Sequence, residues 1–259
     1  MVIIGFIGAG KMGEALIKGM IKAKVAESIY AFDPDRQKMD NLSSLGVMPT
    51  AGNCDLVSRS DIIIIAVKPQ AMPGVLSEIK KTGDKLVVSI AAGIKISAIE
   101  SELRQARVVR VMPNTPCLVG EMAAAYSCAA RVEEADKSII EGLFGCCGLI
   151  FCLNEEDLDA VTALSGSGPA FIAYFIKILA ESATALGLDS TTSMELAIQT
   201  ALGTARLLQE TKLSPDELIK MVSSPGGTTV EGMKVLESSE AIIRNTVKAA
   251  HRRSVELSK

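Results

Sequence analysis

A chain of 259 residues, 48% hydrophobic and 22% charged, has room for two modest domains or one large one around a substantial core. Its net charge of −3, with both signs mixed along the chain, gives no basis for nucleic acid or an anionic membrane surface as partner. A single histidine, His251, excludes a histidine-based triad or a His-rich metal site, and no metal is expected.

No basic segment precedes the first apolar run, as a secretory signal would require. The longest uncharged apolar stretch, residues 142–153, is too short to span a bilayer. A cytoplasmic protein with no membrane partner is the expectation. The six cysteines, with no C-x-x-C pair, then read as reduced core thiols. The adjacent pair Cys146-Cys147 leaves a redox role open.

The chain starts with a short apolar run ending in Gly8-Ala9-Gly10-Lys11-Met12-Gly13, and residues 14–24 carry apolar side chains at helical spacing. Strand, glycine turn and helix start form the G-x-G-x-x-G dinucleotide fingerprint. Gly8 permits the tight turn, Gly10 lets backbone approach a pyrophosphate, and Gly13 lets helix and strand pack closely. The helix start offers free N–H groups and its positive dipole end to phosphate. A second strand over 28–32 ends in Asp33, twenty residues after Gly13, where an acid meets the adenosine ribose.

Further on, Asp33-Pro34-Asp35 caps a helix to about residue 45, and a short third strand lies near 47–49. Residues 53–60 read as a helix. Residues 61–67, rich in isoleucine without alternation, read as a strand buried on both faces. Lys68-Pro69 ends it, and 73–81 returns as a helix. Another strand (85–90), a helix (97–103) and a sixth strand (107–112) follow. This alternation predicts an α/β fold with a doubly wound parallel sheet. Ligands bind at the carboxyl ends of such strands. Those ends are 8–13, Asp33, 66–70, 91–93 and 113–116, and one crevice is expected to collect them.

Two further strands, 122–127 and 149–153, flank a helix over 133–144. From Glu155 strand signals vanish and helical patterns run to the last residue. The expected domains are therefore a dinucleotide-binding Rossmann domain over 1–153 and a helical domain over 154–259. Residues 169–186 are apolar almost all round, with only Lys177 and Glu181 charged. Such a helix is expected to be buried, against a second subunit or within its own neighbours. Helical patterns continue over 191–210, 229–237 and 241–257. Two loops stand out, 164–170 (LSGSGPA) ahead of the apolar helix and 223–229 (SSPGGTT) between two helical segments. The second exposes several N–H donors with threonines at a helix cap, a nest for a carboxylate or an ordinary turn.

RVMPNTP, LSGSGPA and VSSPGGTT, in that order behind GAGKMG and AVKP, resemble pyrroline-5-carboxylate reductase over essentially the whole chain. The resemblance implies NADPH- or NADH-dependent reduction of 1-pyrroline-5-carboxylate to L-proline, the last step of proline biosynthesis. It implies a Rossmann domain followed by a helical dimerisation domain, with homodimers that in the family often build decamers. Carried over, the cofactor contacts fall on Gly8, Ala9, Gly10, Lys11, Met12, Gly13, Asn53, Ala66, Val67, Lys68, Pro69, Ala91 and Ala92. Pro113 and Asn114, ending the sixth strand, fall where a nicotinamide would lie. The substrate loop falls on Ser224, Gly226, Gly227, Thr228 and Thr229. Thr229 matches the threonine that bonds the substrate's ring nitrogen and is the catalytic candidate. The chain departs from some members at Leu213, where they carry a glutamate.

The chemistry fits so sparse an inventory, because the cofactor carries the hydride and the protein positions it against an imine carbon. A 3-hydroxyacid dehydrogenase would need a lysine after Gly166-Ser167-Gly168, where Ile172 stands. A non-catalytic dinucleotide sensor would not need the SSPGGTT loop. On cofactor choice, Asp33 leans to NADH, with Arg36 nearby to offset it.

Overall fold

The computed structural model describes residues 2–258. It divides into two compact units, residues 2–167 with 250–258 and residues 168–249. In chain order the first unit contains β1 (Ile3–Ile7), α1 (Lys11–Ala23), β2 (Ser28–Phe32), α2 (Arg36–Ser43), β3 (Met48–Pro49) and α3 (Asn53–Arg59). It continues with β4 (Ile62–Ile65), α4 (Met72–Glu78), β5 (Leu86–Ser89), α5 (Ile96–Glu102), β6 (Arg107–Met112), β7 (Met122–Cys128), α6 (Glu134–Gly145), β8 (Gly148–Cys152) and α7 (Leu158–Val161).

The strands form one eight-stranded sheet in the order β3-β2-β1-β4-β5-β6-β7-β8. In β4, four consecutive isoleucines are all buried. Ile62 and Ile64 enter one core with Leu16, Met20 and Phe144, while Ile63 and Ile65 enter another with Leu56, Leu76 and Ile99. Successive side chains leave opposite faces of a strand, so an unbroken β-branched run marks a strand covered on both sides.

The expectation of a wholly parallel sheet needs one correction. β6 and β7 pair antiparallel, while the other neighbours pair parallel. Their connection is a single 3-10 turn, Thr115–Val119, reversed at Gly120. A parallel return needs a crossover of a dozen or more residues.

The change in composition at Asn154 and the packing boundary at Gly168 do not coincide. Glu155 Oε1 accepts the Ile96 N–H at 2.7 Å and an N–H of buried Arg110 at 3.1 Å. Asn114 Nδ2 donates to the Ser165 carbonyl at 3.1 Å, and Leu158 is fully buried. Residues 155–167 therefore lie beyond the change in composition yet pack with the first unit. Residues 164–166, expected as loop, lie in a π-helical turn, Thr162–Gly166.

The second unit is helical: α8 (Gly168–Ala185), α9 (Ser190–Thr211), α10 (Pro215–Val222), α11 (Thr228–Leu236) and most of α12 (Glu240–Leu257). The last turns of α12 count with the first unit, where Ser254 Oγ donates to Asp159 Oδ1 at 2.6 Å. Expected burial of α8 is not met within this chain. Ile172 is 57% exposed, Phe175 46% and Leu179 41%, and Ala180 alone in the helix is buried. Among the described residues one stretch, Glu155–Ala185, is long and apolar enough to cross a membrane by length and composition alone. It includes charged residues, such as Lys177 and Glu181, and so is not an uncharged run.

Candidate functional site

The strand order reverses at β1 and β4, whose neighbours run outward on either side. In an open α/β sheet that switch point opens a crevice above the strand ends. A cavity of about 530 Å³ lies there. Its lining includes Gly8, Gly10, Asp33, Asn53, Ala66, Val67 and Lys68, drawn together from four separate stretches of sequence.

The register explains the convergence. Ile7 pairs with Phe32 on one side and Ile65 on the other. One residue further, the Gly8 N–H donates to Phe32 O and the Ala66 N–H to Ile7 O, each at 2.8 Å. Gly8 stands at φ +99° with Ala66 O only 2.7 Å from where a Cβ would be, so any side chain is both strained and blocked. A Cβ on Gly13 would meet Gly8 O at 2.8 Å, so this glycine seats α1 against the turn. Around Gly10 a Cβ would meet nothing within 4 Å. Gly10 is also the N-cap of α1 and carries no side-chain cap, leaving the first N–H groups of the helix free. Open space above uncapped donors at the positive end of a helix fits a pyrophosphate.

Asp33 follows β2 and turns onto this loop. Its Oδ2 accepts the Ala9 N–H at 2.8 Å and its Oδ1 the Asp35 N–H at 3.0 Å, with Lys38 Nζ at 3.5 Å. Burial pushes the carboxyl up, but the Ala9 and Asp35 N–H groups and the Lys38 ammonium outweigh it and hold it below its ordinary value. Asp33 is thus an anion that fixes the glycine turn while still facing the cavity. Asn53, 7% exposed, opens α3 on the cavity wall.

Other expected residues stand elsewhere. Ala9, Lys11, Met12 and Gly13 build the turn and helix start without lining the cavity, and Pro69 opens the 3-10 turn Pro69–Ala71 beyond it. Ala91 and Ala92 follow β5, and Pro113 and Asn114 follow β6, all outside the cavity lining. The Asn114 side chain is committed to structure: Nδ2 donates to Ser165 O and Oδ1 accepts the Ala123 N–H at 2.9 Å. It ties the strand ends to the π turn. Lys38, Val75 and Glu78 line the cavity and were missed, because helix-face residues carry no motif.

In the helical unit, Ser224-Pro225-Gly226-Gly227 forms a β-turn in which the Gly227 N–H donates to Ser224 O at 2.9 Å. Proline at the second position and Gly226 at φ +70° in the third are the requirements of a type II turn. The turn delivers Gly227 as the N-cap of α11, with Thr228 and Thr229 inside the first turn. The sequence placed threonines at the cap; the cap is instead a glycine with no side-chain bond, so the first N–H groups of α11 are unclaimed. The helix before this turn, α10, starts at a Ser214/Glu217 capping box with Pro215 at its first position.

The six cysteines are free; Cys117 and Cys147 are buried as core thiols, while Cys54 and Cys152 are exposed. Cys146 and Cys147 hold their sulfurs 3.7 Å apart. A hydrogen bond with Cys117 and burial push Cys147 up to about 12, which withholds the reactive thiolate.

A family model described as pyrroline-5-carboxylate reductase dimerisation matches residues 155–257, and one described as NADP oxidoreductase coenzyme F420-dependent matches residues 3–93. The pyrroline-5-carboxylate reductase of Methanosarcina acetivorans is 43% identical, over 99% of this chain and 98% of its own length. That of Arabidopsis thaliana is 40% identical, over 98% and 95%. Among solved structures, a pyrroline-5-carboxylate reductase from Coxiella burnetii aligns at TM-score 0.95 and 35% identity, covering 100% of this chain and 99% of that one. The Plasmodium falciparum pyrroline carboxylate reductase with NADP bound aligns at TM-score 0.89 and 32% identity, covering 100% and 98%.

Proposed function

The chain belongs to the pyrroline-5-carboxylate reductase family, and from that premise we propose how its own residues divide the work. The reaction is the reduction of 1-pyrroline-5-carboxylate to L-proline with NADPH or NADH, the closing step of proline biosynthesis. The observation that carries it is identity of 43% over 99% of the chain to a relative of that name.

When bound, the reduced nicotinamide supplies the hydride that enters the imine carbon. Gly8 and Gly13 shape the turn after β1, and Gly10 leaves its backbone clear beneath the pyrophosphate. Asp33 holds the turn in place through Ala9 and presents its remaining acceptor capacity to the adenosine ribose. Lys38 sets a cation beside it, suited to a 2′-phosphate. These groups suit the chemistry of such a cofactor: free N–H donors for the pyrophosphate, a carboxylate for a ribose hydroxyl and a cation for a phosphate.

The substrate's carboxylate is held by the unclaimed N–H groups that open α11 beyond the Ser224–Gly227 turn. Thr229 directs its hydroxyl to the ring nitrogen and steadies the protonated imine, the form that accepts hydride. An iminium needs no strong side-chain acid, which agrees with a chain that has one histidine.

α8 exposes Ile172, Tyr174 and Phe175 within the stretch matched by the dimerisation model, which supports a homodimer as the working form. Assembly of dimers into decamers and a cytoplasmic location without a membrane partner are parts of the same proposal. They are supported by the family's habit and by cysteines without paired spacing.

Loss of the reduced-nicotinamide absorbance on adding pyrroline-5-carboxylate, with proline as product, is the expected assay result. Oxidation of the cofactor only with a 3-hydroxyacid, or with neither compound, contradicts the reading.

A further inference from the structure

Asn53 is 7% exposed and lines the cavity above β1 and β4. Its Nδ2 donates to Glu78 Oε2 at 2.7 Å, while its Oδ1 is buried and has no hydrogen-bond partner. A buried carbonyl oxygen left unmatched is destabilising, so such an atom calls for an explanation. Glu78 ends α4 and lines the same cavity.

The orientation of this amide follows from chemistry. An ionised carboxylate only accepts, so Glu78 must face the NH₂ edge of Asn53 and the carbonyl edge must face the other way. A second bond joins the same two helices, from the Cys54 thiol to the Glu78 backbone carbonyl at 3.3 Å. With the amide fixed in this sense, the unmatched edge of this cavity-lining residue is an acceptor, suited to a donor and not to another acceptor.

We propose that Glu78 is a positioning residue which locks the Asn53 amide so that Oδ1 receives a hydrogen-bond donor from the adenosine half of the dinucleotide. The inference rests on the dinucleotide site described above and extends it. Two donors of that half share the required chemistry, the exocyclic amine of adenine and a ribose hydroxyl. Phosphate oxygens, being acceptors, are excluded from this point of the wall.

The test is a double-mutant cycle read as KM and kcat for NADH and NADPH in the full-length enzyme. Glu78→Leu removes the acceptor and frees the amide to rotate. It is expected to raise cofactor KM about tenfold, the scale of one lost oriented polar contact, with kcat within about twofold. Glu78→Gln can still accept from Nδ2 and is expected to restore KM to within about twofold of wild type. In an Asn53→Ala background Glu78→Leu is expected to add nothing. Glu78→Ala replaces the leucine variant if the latter does not fold.

A wild-type enzyme that works, with Glu78→Leu equally costly in both backgrounds or without effect on KM, overturns the role of Glu78. A wild type that oxidises neither cofactor with pyrroline-5-carboxylate overturns instead the reading beneath it. The reduced hypoxanthine dinucleotide, which lacks the amine, separates the two donors. A penalty present in wild type and absent in Asn53→Ala assigns the base amine, and no penalty in either assigns a ribose hydroxyl.

Discussion

Asp33 Oδ2 accepts the backbone N–H of Ala9 at 2.8 Å, so the acid that closes β2 also holds the glycine turn that follows β1. Two jobs on one carboxylate give a mixed phenotype. Asp33→Ser is expected to raise KM for both cofactors through a looser turn, and to raise the NADPH-to-NADH ratio of kcat/KM by roughly tenfold through loss of the anion. Lys38→Met is expected to lower kcat/KM for NADPH and leave NADH nearly unchanged. Steady-state kinetics with both cofactors check this, and an unchanged ratio in both variants contradicts it. Because the Asp33 carboxyl is held below its ordinary value, its stabilising contribution is whole above the carboxylate range and is lost as pH falls through that lowered value. Melting temperature is accordingly expected to depend less on pH at the acid end in Asp33→Asn.

The glycines of one motif should fail in different ways. Gly10 has room for a side chain and an ordinary φ of −71°, so Gly10→Val is expected to fold with an unchanged melting temperature. Its side chain then occupies the pyrophosphate's place, and cofactor binding is expected to weaken by about a hundredfold or more. Gly13→Val meets Gly8 O and Ala66 Cβ and is expected to lose about 2 kcal/mol or more of stability. Thermal melts beside cofactor titrations separate the two, and a destabilised Gly10→Val contradicts the assignment.

Thr229→Ala is expected to lower kcat by about tenfold to a hundredfold while the dissociation constant for the dinucleotide stays put. Ser224→Ala should have little effect on the turn, which depends on the Ser224 carbonyl. Normal turnover in Thr229→Ala removes the threonine from the mechanism.

Ile172, Phe175 and Leu179 are three and four residues apart on α8 and lie along one helical face. Burying them in a partner would remove from water the apolar surface that this chain leaves open. Sedimentation velocity is expected to give a dimer or a multiple of it for wild type and monomer for Ile172→Glu/Phe175→Glu. A wild-type monomer at micromolar concentration contradicts the proposed working form.

Most of the sheet was readable because β-branched runs and glycine turns are local signals. β2 and β6 stand where the pattern put them, and the motif located the switch point where the cavity lies. What escaped depends on contacts distant in sequence. The antiparallel pairing of β7 depends on a short turn's geometry, not on the strand's composition. Residues 155–163 read as helix yet pack with the sheet, where Glu155 reaches Ile96 and Arg110. Asn114 carries a motif yet bonds Ser165 and Ala123 outside the cavity lining, whereas Lys38 and Glu78 carry none and line the cavity. α10 carries a local signal of its own, the capping box of Ser214 and Glu217 with Pro215 at the first helical position.

This chain reduces pyrroline-5-carboxylate by delivery of hydride to the imine carbon. Reduced cofactor carrying deuterium on the transferred position of the nicotinamide tests it directly, with mass spectrometry and NMR of the proline formed. The expected product is L-proline with one deuterium at C5 and none elsewhere. Proline without the label, or label consumed without proline, would contradict it.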